Sequence, residues 1–153
     1  MEEIGRIPEA SRFAGRCHCG NLEVTFEART PVQDLVVRSC TCSFCRRHGA
    51  RCVSDPAGAV RIVVHDPALL LRYGFGLRTA DFLVCRRCGV YLGAVMGVGD
   101  SVVATINVNT FDQPHPFERA GVPMDYGRES EPERRARRVA GWTPVAFEVF
   151  GNP

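Results

Sequence analysis

Thirteen residues, RSCTCSFCRRHGA from Arg38 to Ala50, place Cys40, Cys42 and Cys45 within six positions and follow them with Arg46, Arg47 and His48. Four more cysteines fall in two pairs, Cys17-x-Cys19 and Cys85-x-x-Cys88, each followed directly by glycine, and Cys52 stands alone. Sulfurs spaced this closely in a turn can converge on one ion, and the glycine lets the backbone fold tightly behind it. A closed zinc site takes four ligands, so the two pairs together complete one and tie the start of the chain to its middle. The triplet is then one ligand short. Three thiolates on Zn²⁺ leave a position for water or a substrate thiol, the mark of a catalytic rather than a structural ion. Cys52 or His48 could supply the missing ligand and make both ions structural; a lone cysteine such as Cys52 can equally be a small buried apolar residue. His18 and His65 read as ordinary surface histidines or as neighbours of the ligands.

The totals are consistent with metal chemistry. At 153 residues the chain is expected to form one domain. Eight cysteines, with an N-terminus (MEEIGRIPEASRFAG) that lacks the apolar core of a secretory signal, point to reduced thiols in the cytoplasm and to metal rather than disulfides. No apolar run reaches the ~18 residues of a membrane span. The net charge of +2 demands neither nucleic acid nor an acidic membrane as partner. All nineteen basic residues are arginine, which excludes a lysine Schiff base and makes every fixed cation a guanidinium suited to bidentate carboxylate binding.

The segments that must position these thiols are short and mostly β. Alternation at Leu22, Val24 and Phe26 predicts a strand, and DLVVRS predicts another leading into the triplet. AVRIVV, the end of HDPALLLRYGFG, ADFLV, VYLGAVMGV, SVVATINVNTF and VAFEVF bring the total to about eight. ADFLV running into Cys85-Arg-Arg-Cys88-Gly89 and out through VYLGAVMGV outlines a zinc knuckle at a hairpin tip. Only SEPERRARRVAGW has helical signals: a polar start, an early Pro, arginines in its last turns and Gly141 at its end. Its arginines read as a solvated face neutralising Glu129, Glu131 and Glu133. Pro114 to Pro116 and Gly121 to Gly127 read as a long ordered loop.

Taken in order, Gly-x-Cys-x-Cys-Gly (Gly15 to Gly20), Cys-x-Cys-Ser-x-Cys-Arg-Arg-x-Gly-Ala (Cys40 to Ala50) and Phe-x-x-Cys-x-x-Cys-Gly (Phe82 to Gly89) resemble the glutathione-dependent formaldehyde-activating enzyme family, which includes centromere protein V. The resemblance covers about two thirds of the chain and implies a mainly β, β-tent fold of short, coiled antiparallel sheets with zinc knuckles. It implies a single domain over residues 1–153, with a motif-bearing core at about 12–112 and a C-terminal extension at 113–153. It also implies two zinc ions, a structural one on Cys17, Cys19, Cys85 and Cys88 and a catalytic one on Cys40, Cys42 and Cys45. The implied activity is that of a carbon–sulfur lyase, adding glutathione or a similar thiol to formaldehyde or another small aldehyde. Glutathione carries two carboxylates, so Arg46 and Arg47, with Arg86 and Arg87 beside the other knuckle, become candidate substrate contacts; they could instead neutralise the zinc-thiolate centres.

Two other functions compete. A zinc-stabilised binding module would use the arginines on nucleic acid or a protein partner, although the interleaved aromatics and strong net charge of a nucleic-acid surface are missing. A thiol redox sensor would pair Cys52 with a neighbour.

Overall fold

A computed structural model of the chain describes residues 10–113 and 115–150; the acidic start of the chain and Pro114 lie outside the described residues. β1 (Ser11–Arg16) and β2 (Leu22–Ala28) form an antiparallel hairpin whose turn carries Cys17 and Cys19. β3 (Arg38–Cys40) delivers the chain to α1 (Ser43–His48), and β4 (Cys52–Val53) returns it. β5 (Ala59–Val64) pairs with β2. β6 (Leu70–Tyr73), β7 (Asp81–Cys85), β8 (Tyr91–Val98) and β9 (Ser101–Asn107) run as an antiparallel meander, with Cys85 and Cys88 in the β7–β8 turn. β10 (Val122–Met124), α2 (Glu131–Gly141) and β11 (Thr143–Val149) complete the order.

The eight strands expected from alternation are all present, and the fold is mainly β. The structure adds β1, β4, β10 and α1. Most ladders are antiparallel, but β10 lies parallel to β3 and β11 parallel to β5, so the sheet is mixed. β11 is the seam: Thr143 and Pro144 pair with β9, while Val145 to Val149 pair with β5. The segment DLVVRS is strand only from Arg38, because Val32–Asp34 forms a 3-10 turn.

Strand alternation decides the core. Leu22, Val24 and Phe26 of β2 point inward with Val60, Ile62 and Val64 of β5, and they meet Leu83, Leu92, Ala104 and Ile106 from the meander. Phe13, Phe26, Phe111 and Phe117 fill one end, with ring centroids 4.9 to 6.4 Å apart. Burying side chains of this size contributes about 1.5–3 kcal/mol each.

α2 begins with a capping box: Ser130 accepts from the Glu133 backbone N–H, and Glu133 accepts from that of Ser130. Its arginines divide their work. Arg134 and Arg137 both grip Glu129, and Arg135 pairs with Glu131. The expected solvated face is therefore confined to part of the helix, because Arg138 is buried against Trp142.

Candidate functional site

The two knuckles on the β1–β2 and β7–β8 turns are built alike. In each, the first cysteine's N–H donates across the turn, Cys17 to Leu22 O and Cys85 to Val90 O, and the glycine after the second cysteine donates back to the first cysteine's carbonyl. Gly20 and Gly89 take φ of 83° and 77°, a left-handed conformation that a β-carbon would strain. The four sulfurs of Cys17, Cys19, Cys85 and Cys88 lie within 4.8 Å of one another. Cys17 and Cys19 are 3.8 Å apart and Cys19 and Cys85 3.5 Å. Zinc–sulfur bonds of ~2.3 Å in a tetrahedron space sulfurs roughly 3.8 Å apart, so this set fits a zinc ion with no ligand to spare.

Cys40, Cys42 and Cys45 also converge within 4.8 Å. Local structure explains why: Cys42 is the N-cap of α1, its sulfur accepting from the Cys45 backbone N–H at 3.4 Å, and Gly49 closes the helix after two turns. Sequence reading missed α1 because Cys42 occupies a position where Ser, Thr or Asp is the usual signal. Cys52 and His48, the two residues able to close this site, do not join the convergent set among the described residues. His48 instead packs on Phe44, with ring centroids 4.5 Å apart, and Cys52 packs in the small cluster that holds Tyr91.

Ionisation within the clusters is uneven. Thiol donors from Cys40 and Cys45, then the backbone N–H groups of Cys45 and Phe44, hold Cys42 far below the ordinary thiol pKa. Cys40 and Cys45 are raised in turn. In the other cluster, burial pushes Cys17 up to about 12. At Cys88 burial opposes ionisation, but the N–H groups of Cys19 and Val90 outweigh it and bring the pKa down to about 6. Each cluster thus accommodates one thiolate readily, and a metal ion must displace the remaining protons.

The triplet opens on two adjoining chambers. The inner, of about 60 Å³, is walled by Cys40 and Cys45, by Phe82, Tyr91 and Trp142, and by Arg38, Arg137 and Arg138. The outer, of about 150 Å³, shares Cys40, Phe82, Tyr126, Arg137 and Arg138 with it and adds Cys42, Phe75 and Asp125. Phe44, Phe75, Phe82 and Tyr91 form a continuous aromatic wall, neighbouring rings lying 4.6 to 5.8 Å apart. β7 carries Phe82 three residues before Cys85, and β8 opens on Tyr91 just after the second knuckle, so the four-thiol cluster fixes the hairpin that walls the triplet.

Arg46 and Arg47 lie exposed on α1 and line neither chamber; Arg86 and Arg87 are exposed on the second knuckle. The arginines that reach the triplet come from β3 and α2. RRARR contained the signal, since Arg134, Arg137 and Arg138 are spaced three and four apart and therefore share a helix face. His18 is exposed, and His65 pairs with Glu23 at 3.0 Å. No helix among the described residues is long and apolar enough to cross a membrane.

Comparison with known proteins agrees with this layout. Among solved structures, a Rhodobacter sphaeroides protein determined as a structural-genomics target shares 33% sequence identity and superposes with a TM-score of 0.54, covering 72% of this chain and 97% of that one. Residues 12–122, which include all seven clustered cysteines, match the family described as glutathione-dependent formaldehyde-activating enzyme. With that match spanning most of its length, the chain belongs to the glutathione-dependent formaldehyde-activating enzyme family.

Proposed function

We propose that the chain is a zinc-dependent, carbon–sulfur lyase-type enzyme that adds a thiol, glutathione or a close analogue, to formaldehyde or another small aldehyde. In the addition the sulfur bonds to the carbonyl carbon, the C=O π pair moves to oxygen, and the thiol proton ends there; nothing is oxidised. The carrying observation is the triplet itself: three convergent thiols, one short of a closed shell, which among the described residues face a chamber rather than a fourth ligand.

Cys40, Cys42 and Cys45 would hold the working zinc ion, and Cys17, Cys19, Cys85 and Cys88 a structural one. When bound, the working ion supplies Lewis acidity, favouring the thiolate form of a substrate thiol and polarising an aldehyde oxygen. The protein's own residues do the rest. Phe82, Tyr91 and Trp142 restrict water around the reacting atoms, so charges there interact more strongly than in bulk solvent. Burial raises the pKa of Tyr91 well above that of an ordinary phenol, so its O–H stays protonated as a donor. Arg46 and Arg47, exposed just after Cys45, are available to the distal carboxylate of a long thiol such as glutathione. A single domain acting in the cytoplasm completes this reading.

Metal analysis of purified, zinc-loaded protein should find two ions per chain, and exchange NMR should show adduct formation between glutathione and formaldehyde accelerated over the spontaneous rate. Protein holding two zinc ions that accelerates no thiol–aldehyde pair would overturn the assignment.

A further inference from the structure

The chamber wall facing the thiols holds a cation without a counter-ion. Arg138 is only 7% exposed. Its Nη1 donates to Thr79 Oγ1 at 2.7 Å and its guanidinium stacks 4.7 Å from the Trp142 ring, yet its Nε has no hydrogen-bond partner and no carboxylate pairs with it among the described residues. Glu129 is already committed, accepting from Arg137 at 2.7 and 3.0 Å. Arg38, on the same chamber, meets only neutral groups: Ser54 Oγ at 2.8 Å and Thr105 Oγ1 at 2.9 Å. The inner chamber has three arginines in its wall and no aspartate or glutamate.

A buried N–H without an acceptor is costly, and a guanidinium fork matches a carboxylate in both charge and shape. Burial draws the Arg138 pKa down to about 10, which leaves it charged at neutral pH. Charge counting points the same way. Arg38 and Arg138 add two positive charges, and Arg134 and Arg137 have one carboxylate, Glu129, between them, so the wall opposite the thiols favours an anion. Size limits what that anion is. A chamber of about 60 Å³ takes a carboxylate and one or two carbons, not a tripeptide. Both carboxylates of glutathione are separated from its thiol by a peptide unit, too far to share this chamber with a reacting sulfur.

We propose that Arg138, supported by Arg38, is a carboxylate subsite inside the reaction chamber, so that this chain acts on a partner whose carboxylate sits one or two carbons from the reacting atom. This rests on the triplet being the reaction centre. It makes Arg138 a specificity residue, and α2, which lies beyond the matched residues 12–122, the segment that sets substrate choice. The carboxylate belongs either to a short mercapto acid or to a two-carbon oxo acid.

The test is calorimetric titration of the two-zinc protein with mercaptoacetate and with 2-mercaptoethanol, which share a sulfur–carbon–carbon skeleton and differ in charge. Where the thiol carries the carboxylate, wild-type protein should bind mercaptoacetate at least tenfold more tightly, the scale of one charged hydrogen bond; where the aldehyde carries it, wild-type protein should accelerate 2-mercaptoethanol addition to glyoxylate at least tenfold more than addition to acetaldehyde. Arg138→Met keeps the apolar stem on Trp142 and should erase that preference while leaving 2-mercaptoethanol affinity within twofold. Exchange NMR then separates the sources. Arg138→Met should slow, at least tenfold, either 2-mercaptoethanol with glyoxylate or mercaptoacetate with formaldehyde, whichever pair places its carboxylate on the guanidinium. Equal wild-type affinity for the two thiols, together with equal wild-type acceleration of 2-mercaptoethanol addition to glyoxylate and to acetaldehyde over their spontaneous rates, overturns the inference; so does equal loss of both thiols in the variant, which leaves Arg138 a counter-ion of the thiol cluster. If neither thiol binds wild-type protein, the reaction centre itself is refuted and the subsite with it. The wild-type comparison does not depend on any variant folding.

Discussion

The two thiol clusters should differ sharply in what they contribute to stability. Cys19 and Cys85 are 66 residues apart in sequence, so an ion joining the knuckles closes a long loop, whereas Cys40 to Cys45 closes one of five. Treating each ion as a cross-link on the unfolded chain gives about 4 kcal/mol for the first and about 2 kcal/mol for the second. For a domain of this size, ~1 kcal/mol moves the melting temperature by roughly 2–4 °C, so the losses correspond to about 12 °C and about 6 °C. Cys19→Ser combined with Cys88→Ser is a suitable perturbation of the first cluster, because Cys19 is exposed and Cys88 half-buried, and little packing is lost. Cys42→Ser perturbs the second and retains a good N-cap for α1. Each variant leaves two thiols in its cluster. Thermal unfolding by circular dichroism, read beside zinc content, should show one ion lost from each and the larger fall for the double variant. Adduct exchange should vanish only in Cys42→Ser. A double variant that melts within about 3 °C of wild type, or above Cys42→Ser, would refute the cross-link reasoning.

Other outcomes follow from side chains that hold α2 and the loops in place. The Arg137 hydrogen bond outweighs burial and, with Arg134, depresses the Glu129 pKa. A depressed carboxylate pKa adds stability that is complete above its unfolded value of ~4.3 and is lost as pH falls through the folded value, so Glu129→Gln should cost about 1–2 kcal/mol at pH 7 by urea unfolding and progressively less as pH falls below ~4.3. Asp55 is 1% exposed and accepts from the N–H groups of Arg29, Thr30 and Ala57. Asp55→Ala strands those donors and should cost about 3 kcal/mol, measured the same way. Arg51 donates to the carbonyls of Phe117 and Arg119 and to Asn109 Oδ1; Arg51→Met should cost about 2 kcal/mol and speed proteolysis between Phe111 and Gly121.

The strands with clean alternation were legible because one face of each meets the core, as at Leu22, Val24 and Phe26. The thiol partition was legible because its spacing is local, two or three residues per arm. β4 and β10 were not: two or three residues carry no period, and their pairing with β9 and β3 is decided by the rest of the fold. Arg46 and Arg47 drew attention through sequence proximity to Cys45, while Arg138, more than ninety residues from that cysteine, reaches the chamber only because β11 pins α2 across the sheet. Proximity in sequence located the ligands and could not locate the opposite wall.

β11 lies between β5 and β9, yet it leaves the ribosome after both. Until Val145 to Val149 emerge, Val60 to Val64 have no neighbour on that side, and the inner wall that Trp142 and Arg138 provide does not exist. The knuckles can gather a metal ion well before this, since Cys88 precedes β11 by more than fifty residues. Synthesis is therefore expected to yield a nascent chain able to be clipped by a metal ion but with an unfilled gap between β5 and β9, a species open to edge-to-edge aggregation until translation delivers the last β-strand to its slot.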